Sequence, residues 1–181
     1  MSNLYLKEIS PVDYPALAAY RQAYLNRQLV AHGCGDLEHY DDMAAWHQRQ
    51  VAMTKRETLP EGYAPAKIWL VMDPSTQDGA SDRLVGLSNL RLELTDYLRQ
   101  FGGHVGYSIA PDCWGQGYGT QLLALTLDKA RQEGSSYYVD APRQRLGLVT
   151  RLHVDIGERL GMVKNMAVDF AGRQGTSAPA A

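Results

Sequence analysis

Cysteine is nearly missing: Cys34 and Cys113 are the only two in 181 residues. Two thiols so placed build neither a disulfide framework nor a cysteine-based metal site. As reduced thiols they fit a cytoplasmic protein. Net charge is small too. Eighteen Lys and Arg against 20 Asp and Glu leave −2, which excludes the strong field that gathers nucleic acid or holds an anionic membrane. No apolar run approaches the ~20 residues that span a bilayer. The opening Met1-Ser-Asn-Leu-Tyr-Leu-Lys7 lacks the basic region and apolar core of a secretory signal.

What remains is ordinary globular material, 45% apolar and 21% charged, of a length that suits one domain. We expect that domain over residues 1–171, with the small, polar stretch 172–181 as a disordered tail. Leu4 to Ile9 alternates apolar and polar residues and predicts a first strand. Ser10-Pro11-Val12-Asp13 is a helix start, with serine capping and the aspartate reaching back. The helix then runs to about Leu29. Asp41 is expected to cap a second helix ending near Arg56. Ile68 to Met72 and Leu84 to Leu94 read as strands around a polar hairpin loop, with Gly86 marking a bulge. Thr95 to Phe101 is a short excursion before a strand over His104 to Ile109. The succession implies an α/β domain with a mixed sheet and helices on both faces. His32, His39 and His47 have no ligand spacing and read as surface residues.

The most informative stretch follows that last strand: Ala110-Pro111-Asp112-Cys113, then Trp114-Gly115-Gln116-Gly117-Tyr118-Gly119-Thr120. A helix comes next, with Leu122, Leu123, Leu127 and Ala130 on one face. A strand that enters a helix through a glycine-rich turn aims N–H groups at one point, where the helix dipole is positive. Phosphate oxygens bind such a point. Glycines 115, 117 and 119 permit positive φ and close approach of an anion. No lysine lies between Lys67 and Lys129, so this is not a P-loop, and the spacing is not the dinucleotide Gly-x-Gly-x-x-Gly. A tight turn that binds nothing is the plainer alternative.

Val105-Gly-Tyr-Ser-Ile109 followed by Pro111 and Trp114-Gly-Gln-Gly-Tyr-Gly-Thr120 resembles motif A of the GNAT acyltransferases. Trp114 stands where that motif more often has Arg or Gln. A closer resemblance is to a bacterial group of GNAT acetyltransferases, through Leu59-Pro-Glu-Gly-Tyr63, Leu84-Val-Gly86 and Gly102-Gly-His-Val-Gly-Tyr-Ser108. It covers roughly residues 1–138. It implies the acyl-CoA N-acyltransferase fold, with a central splayed sheet, and transfer of acetyl from acetyl-CoA to a primary amine on a small molecule or peptide N-terminus. Pyrophosphate would sit on the N–H groups of Trp114 to Thr120, and pantetheine along Tyr107, Ser108 and Ile109. A backbone N–H there would hold the oxyanion. The loop Val30 to Tyr40 would shape the acceptor pocket. A homodimer is the family-like assembly; neither nucleic acid nor membrane is a partner, and no metal is called for.

Attack requires a neutral amine, hence a base. Glu93, near the end of the strand before the central one, and His104, which opens the central strand, are the candidates. Asp96 and Tyr107 are also near by topology, although Tyr107 shares a face with Val105 and Ile109 and so reads as core. Arg91 is a candidate for binding an acceptor carboxylate. Cys113 lies before the phosphate turn and has no placed partner, so a nucleophilic role is not expected.

The resemblance breaks after Tyr138. The family pattern continues with Asn-x-x-Ser opening a helix and a tyrosine that protonates the departing thiolate; this chain has neither, and Asp140 to Gly161 departs from it. One reading is divergence, leaving an active enzyme with another acid or a non-catalytic acyl-CoA-binding protein. The other is a pair of compensating reading-frame shifts within that segment. Sequencing the coding DNA separates them: if no alternate frame encodes an Asn-x-x-Ser helix, the second is dead.

Overall fold

The structure, a computed structural model, describes residues 3–74, 81–98 and 103–132. Its elements are β1 (Tyr5–Lys7), α1 (Tyr14–Leu25), α2 (Met43–Ala52), β2 (Ala66–Asp73), β3 (Arg83–Arg91), β4 (Val105–Ile109) and α3 (Tyr118–Gln132). The strands lie in the order β1-β2-β3-β4, and every described pair is antiparallel. The parallel neighbour of a mixed sheet was expected beyond Tyr137, outside the described residues. The segment 140–161 and the tail expected over 172–181 also lie outside the described residues.

The first helix starts as its sequence dictates. Ser10 N–H and Oγ both donate to Asp13 Oδ2, at 2.9 and 2.8 Å, and Lys7 pairs with the other carboxylate oxygen. A one-turn 3-10 helix, Pro11–Asp13, leads into α1. The helix stops at Leu25, short of the expected Leu29, because Gln28 takes a positive φ of 54°. Its buried face is Leu17, Tyr20 and Tyr24, while Leu25 is exposed. At α2 the cap is Asp42, whose carboxylate accepts from Ala44 N–H at 2.8 Å; Asp41 instead pairs with Arg21. The expected bulge is present. Val71 pairs with Gly86 but Met72 pairs with Leu84, which leaves Val85 as the extra residue.

The sheet is covered on both faces. On one, Gly86, Ser88, Tyr107 and Ile109 meet α3. A Cβ on Gly86 would stand 2.9 Å from Ile109 Cδ1 and 3.2 Å from Leu122 Cδ1, and Ser88 Oγ meets Thr126 Oγ1 at 2.6 Å. The apolar stripe of α3 is Leu122, Leu123, Leu127 and Ala130, as its periodicity predicts. On the other face Leu87, Asn89, Gly106 and Ser108 lie under α1 and the loop after it. Leu17, Leu37, Trp46, Leu70, Leu87, Leu90 and Leu122 are fully buried. Each such side chain contributes roughly 1.5–3 kcal/mol of transfer free energy.

Candidate functional site

Three structural features converge on β4: the turn that follows it, its outer edge, and a cavity beneath the loop that crosses it.

The turn is held at both ends. Trp114 Nε1 donates to Ile109 O at 2.7 Å, and Tyr118 Oη donates to Asp73 Oδ2 at 2.6 Å. That bond to Asp73, with burial, raises the Tyr118 pKa. Gln116 Nε2 reaches back to Asp112 O at 3.1 Å, and Asp112 pairs with Arg27. Gly115 and Gly117 have φ of 78° and 79°, with nothing within 4 Å of a Cβ built on either. Backbone shape, not crowding, therefore requires glycine at these two positions. Gly119 is different. It lies inside α3 without positive φ, and its Cβ would be 3.7 Å from Tyr107 Cε2. Positive φ, expected of all three glycines, thus occurs at two, while Gly119 stands in the first turn of α3 as expected. The first helical bond runs from Gln121 N–H to Gly117 O at 3.4 Å. The N–H groups of Tyr118, Gly119 and Thr120 lie ahead of it, the orphan donors of a helix start.

The outer edge of β4 follows from its pairing. Arg91 N–H donates to His104 O at 2.7 Å and Ala110 N–H to Val85 O at 2.8 Å. In an antiparallel ladder alternate residues turn their backbone groups the same way. The backbone groups of His104, Gly106, Ser108 and Ala110 therefore face β3, and those of Val105, Tyr107 and Ile109 face outward. Among the described residues no strand pairs with that outer edge. Tyr107 and Ile109 thus present N–H groups to an incoming strand-like ligand. Ser108 does not, because its backbone groups face β3; its side chain is bound to Tyr20 Oη at 2.8 Å and Cys34 Sγ at 2.7 Å. Ile109 O accepts from Tyr24 Oη at 2.7 Å as well as from Trp114. Burial pushes the Tyr24 hydroxyl up to about 12 and the Cys34 thiol up to about 12.

The cavity holds about 450 Å³. Its walls are the loop Val30 to Glu38, the outer turns of α2 with Arg49 and Gln50, the connection Gly62 to Ala66, and Asn89, Arg91, Thr95, Tyr97 and Leu98. The loop is clamped from α2: Trp46 Nε1 donates to Gly35 O at 2.9 Å and to Cys34 O at 3.2 Å, and Gln50 Nε2 to Gly35 O at 3.1 Å. Gly33, with φ of 73°, presses on the strand; a Cβ there would lie 2.3 Å from Gly106 C and Tyr107 N. The cavity therefore abuts the middle of β4, upstream of the glycine turn.

Two of the lining residues each hold one buried oxygen that stands out. Glu38 Oε2 and Asn89 Oδ1 are buried and have no hydrogen-bond partner among the described residues. Glu38 is firmly seated, since Arg21 Nη2 and Nε donate to its carbonyl at 3.0 and 3.3 Å and its neighbour Leu37 is fully buried. Asn89 is 8% exposed, in the middle of β3.

The residues singled out from sequence are distributed as follows. Arg91 lines the cavity and donates from Nη1 to Gly103 O at 2.8 Å. Glu93 pairs with Arg56 at the surface and is not part of the cavity wall. His104 is buried at the start of β4, also outside that wall. Tyr107 is buried against α3. Cys113 is buried, and burial pushes its thiol up, away from nucleophile chemistry. His32 lines the cavity, and His47 Nδ1 lies 3.0 Å from Tyr14 Oη. Among the described residues no group of three metal-ligating side chains occurs, and no helix is long and apolar enough to cross a membrane. Sequence reading missed Glu38 and Asn89. Both left a signal: Glu38 sits in the loop assigned to the pocket, and Asn89 follows Ser88 as the second polar residue in the mostly apolar stretch Leu84 to Leu90.

The sequence model of the acetyltransferase (GNAT) domain matches residues 3–154. The match spans every described element and ends at Val154, inside the segment that departs from the family pattern. No curated protein and no solved structure matches the chain. The match covers most of the length, and the chain, with its outward strand edge, glycine turn and helix start, belongs to the GNAT acetyltransferase domain family, whose members are generally acyltransferases.

Proposed function

We propose that the protein transfers acetyl from acetyl-CoA to the primary amine of a small molecule or a peptide N-terminus. The observation that carries this reading is the contact of Gly33 with Gly106 and Tyr107. It sets the cavity against the one strand whose outer edge runs on into the glycine turn. Pyrophosphate on the donors of Tyr118, Gly119 and Thr120, and pantetheine along Tyr107 and Ile109, would bring the thioester to the cavity's floor. Acetyl-CoA supplies the activated acyl group; the chain supplies position, an N–H for the oxyanion and a proton for the leaving thiolate. For that proton we assign Tyr24, whose buried hydroxyl stays protonated and bonds to Ile109 O. Arg91 at the cavity wall suits an acceptor carboxylate. Buried free thiols at Cys34 and Cys113 suit a reducing cytoplasm.

The absence of a tyrosine after Tyr138 favours a second reading, a non-catalytic acyl-CoA-binding protein. Calorimetry with acetyl-CoA tests both at once, and no heat at high micromolar ligand sinks both. Release of free thiol over a panel of primary amines separates them, because a sensor binds acetyl-CoA and turns nothing over.

A further inference from the structure

Large apolar side chains left in water are ordinary when scattered and informative when gathered. Among the described residues seven are exposed, and three of them line the cavity beside β4: Val30 at 55%, Tyr63 at 51% and Tyr97 at 67%. They come from three segments, the loop after α1, the connection between α2 and β2, and the stretch after β3. The last two segments are tied together, since Leu92 N–H donates to Pro65 O at 2.7 Å. The loop is tied to the same wall through Asp36, which pairs with Arg49 at 3.2 Å, and the Arg49 guanidinium lies over the Tyr63 ring, 5.8 Å from its centroid. Met53 and Ala64 add to the apolar lining. The volume of about 450 Å³ falls within the range of roughly 300–1,000 Å³ that holds small molecules.

We infer that Tyr63 and Tyr97, together with Val30, are specificity-determining residues that receive the aromatic body of a small primary amine. This deepens the acetyltransferase reading and rests on it for the chemistry, though not for the binding. All three side chains stand in water without a ligand, so a ligand of like surface gains by covering them. A ring on the ligand gains more than a plain chain, because it meets a tyrosine ring stacked or edge to face. A second charge on the ligand gains less. The exposed carboxylate of the wall, Asp36, is already neutralised by Arg49, so a diamine has no advantage over a monoamine with a ring. Gly33 sets the cavity against Gly106 and Tyr107, so an amine whose ring lies on this wall can turn its nitrogen toward β4.

The test uses the full chain and the variants Tyr63→Ser, Tyr97→Ser, Tyr63→Phe and Tyr97→Phe. Saturation-transfer NMR follows binding of 2-phenylethylammonium, with ethylammonium and putrescine as comparators. The unaltered protein binds the aromatic probe about tenfold or more tightly than either comparator. Each serine variant weakens the probe about tenfold, while each phenylalanine variant keeps it within about twofold, since the ring and not the hydroxyl is the contact. Acetyl-CoA affinity holds in all four. Both tyrosines are exposed, so the variants fold, and thermal melts confirm it. In turnover the serine variants lower kcat/KM for 2-phenylethylamine about tenfold and leave that for ethylamine unchanged, a shift of preference that a merely structural role does not produce. Equal binding of probe and comparators, no binding of any, serine variants that keep the parent's affinity, or phenylalanine variants that lose it, each overturn the inference whatever acetyl-CoA does. Ring-dependent amine binding in a protein that ignores acetyl-CoA keeps the aromatic wall and overturns the transferase reading instead.

Discussion

Gly33 and Gly106 meet backbone to backbone: a Cβ on Gly106 would stand 3.0 Å from Gly33 Cα, and one on Gly33 would stand 2.3 Å from Gly106 C. The loop that walls the cavity thus rests on the strand that would hold the donor. Gly33→Ala adds a methyl where there is no room and imposes a φ of 73° on a residue with a side chain. We expect a loss of about 2–4 kcal/mol from strain and overpacking together. Urea unfolding measures it, and a variant as stable as the parent refutes the contact.

The glycine turn gives a contrast within one motif. Gly117→Ala strains a positive φ in open space, so about 1 kcal/mol of stability goes with it. Gly119→Ala has ordinary φ and an ordinary contact with Tyr107, so helix propensity raises stability by up to about 1 kcal/mol. Both place a methyl where phosphate would approach. Calorimetry is expected to show acetyl-CoA affinity reduced at least tenfold in each, in opposite company with stability. Undiminished affinity in both moves the anion elsewhere.

Tyr24→Phe removes the hydroxyl that bonds to Ile109 O. With Tyr24 as the thiolate acid, kcat falls about 10- to 100-fold, the lower range for a general acid that water can replace. The acetyl-CoA affinity is expected to hold. A kcat within twofold of the parent assigns the proton to another group.

Asp13 reports on acid stability. Burial opposes its ionisation, but the Lys7 ammonium and the Ser10 hydroxyl and N–H outweigh it and hold the carboxyl below its ordinary 3.8. A depressed carboxyl adds stability that is fully present above its unfolded pKa and is lost as pH falls through the folded one. Asp13→Asn therefore costs about 1–2 kcal/mol at pH 7, as loss of a cap and of charged hydrogen bonds does. The gap between parent and variant closes as pH falls below about 4. Melting curves across pH 2–7 check it, and a gap that persists at pH 2 contradicts the assignment.

The elements were legible where local chemistry decides them. Ser10 and Asp13 announce a helix start, the apolar period of α3 announces its buried face, and Gly86 announces the bulge. Boundaries slipped where a single backbone angle decides, as at Gln28. The glycine turn and the helix after it were readable because they are a property of consecutive residues. The cavity was not. Glu38 and Asn89 lie 51 positions apart in the chain, and only the fold brings both to one cavity. That Glu93 would be taken by Arg56 is equally a fact of tertiary packing, invisible to strand position.

The carbonyl of Ile109 receives Tyr24 from α1 and Trp114 from the turn. One carbonyl oxygen therefore fixes both α1 and the glycine turn against the end of β4. A substitution on the outer side of α1, at Ala18 or Leu25, leaves both untouched as long as the helix axis stays put. One that tilts α1 by pulling on Tyr24 is felt at Trp114 as well, and reshapes the glycine turn from a helix that is no part of it.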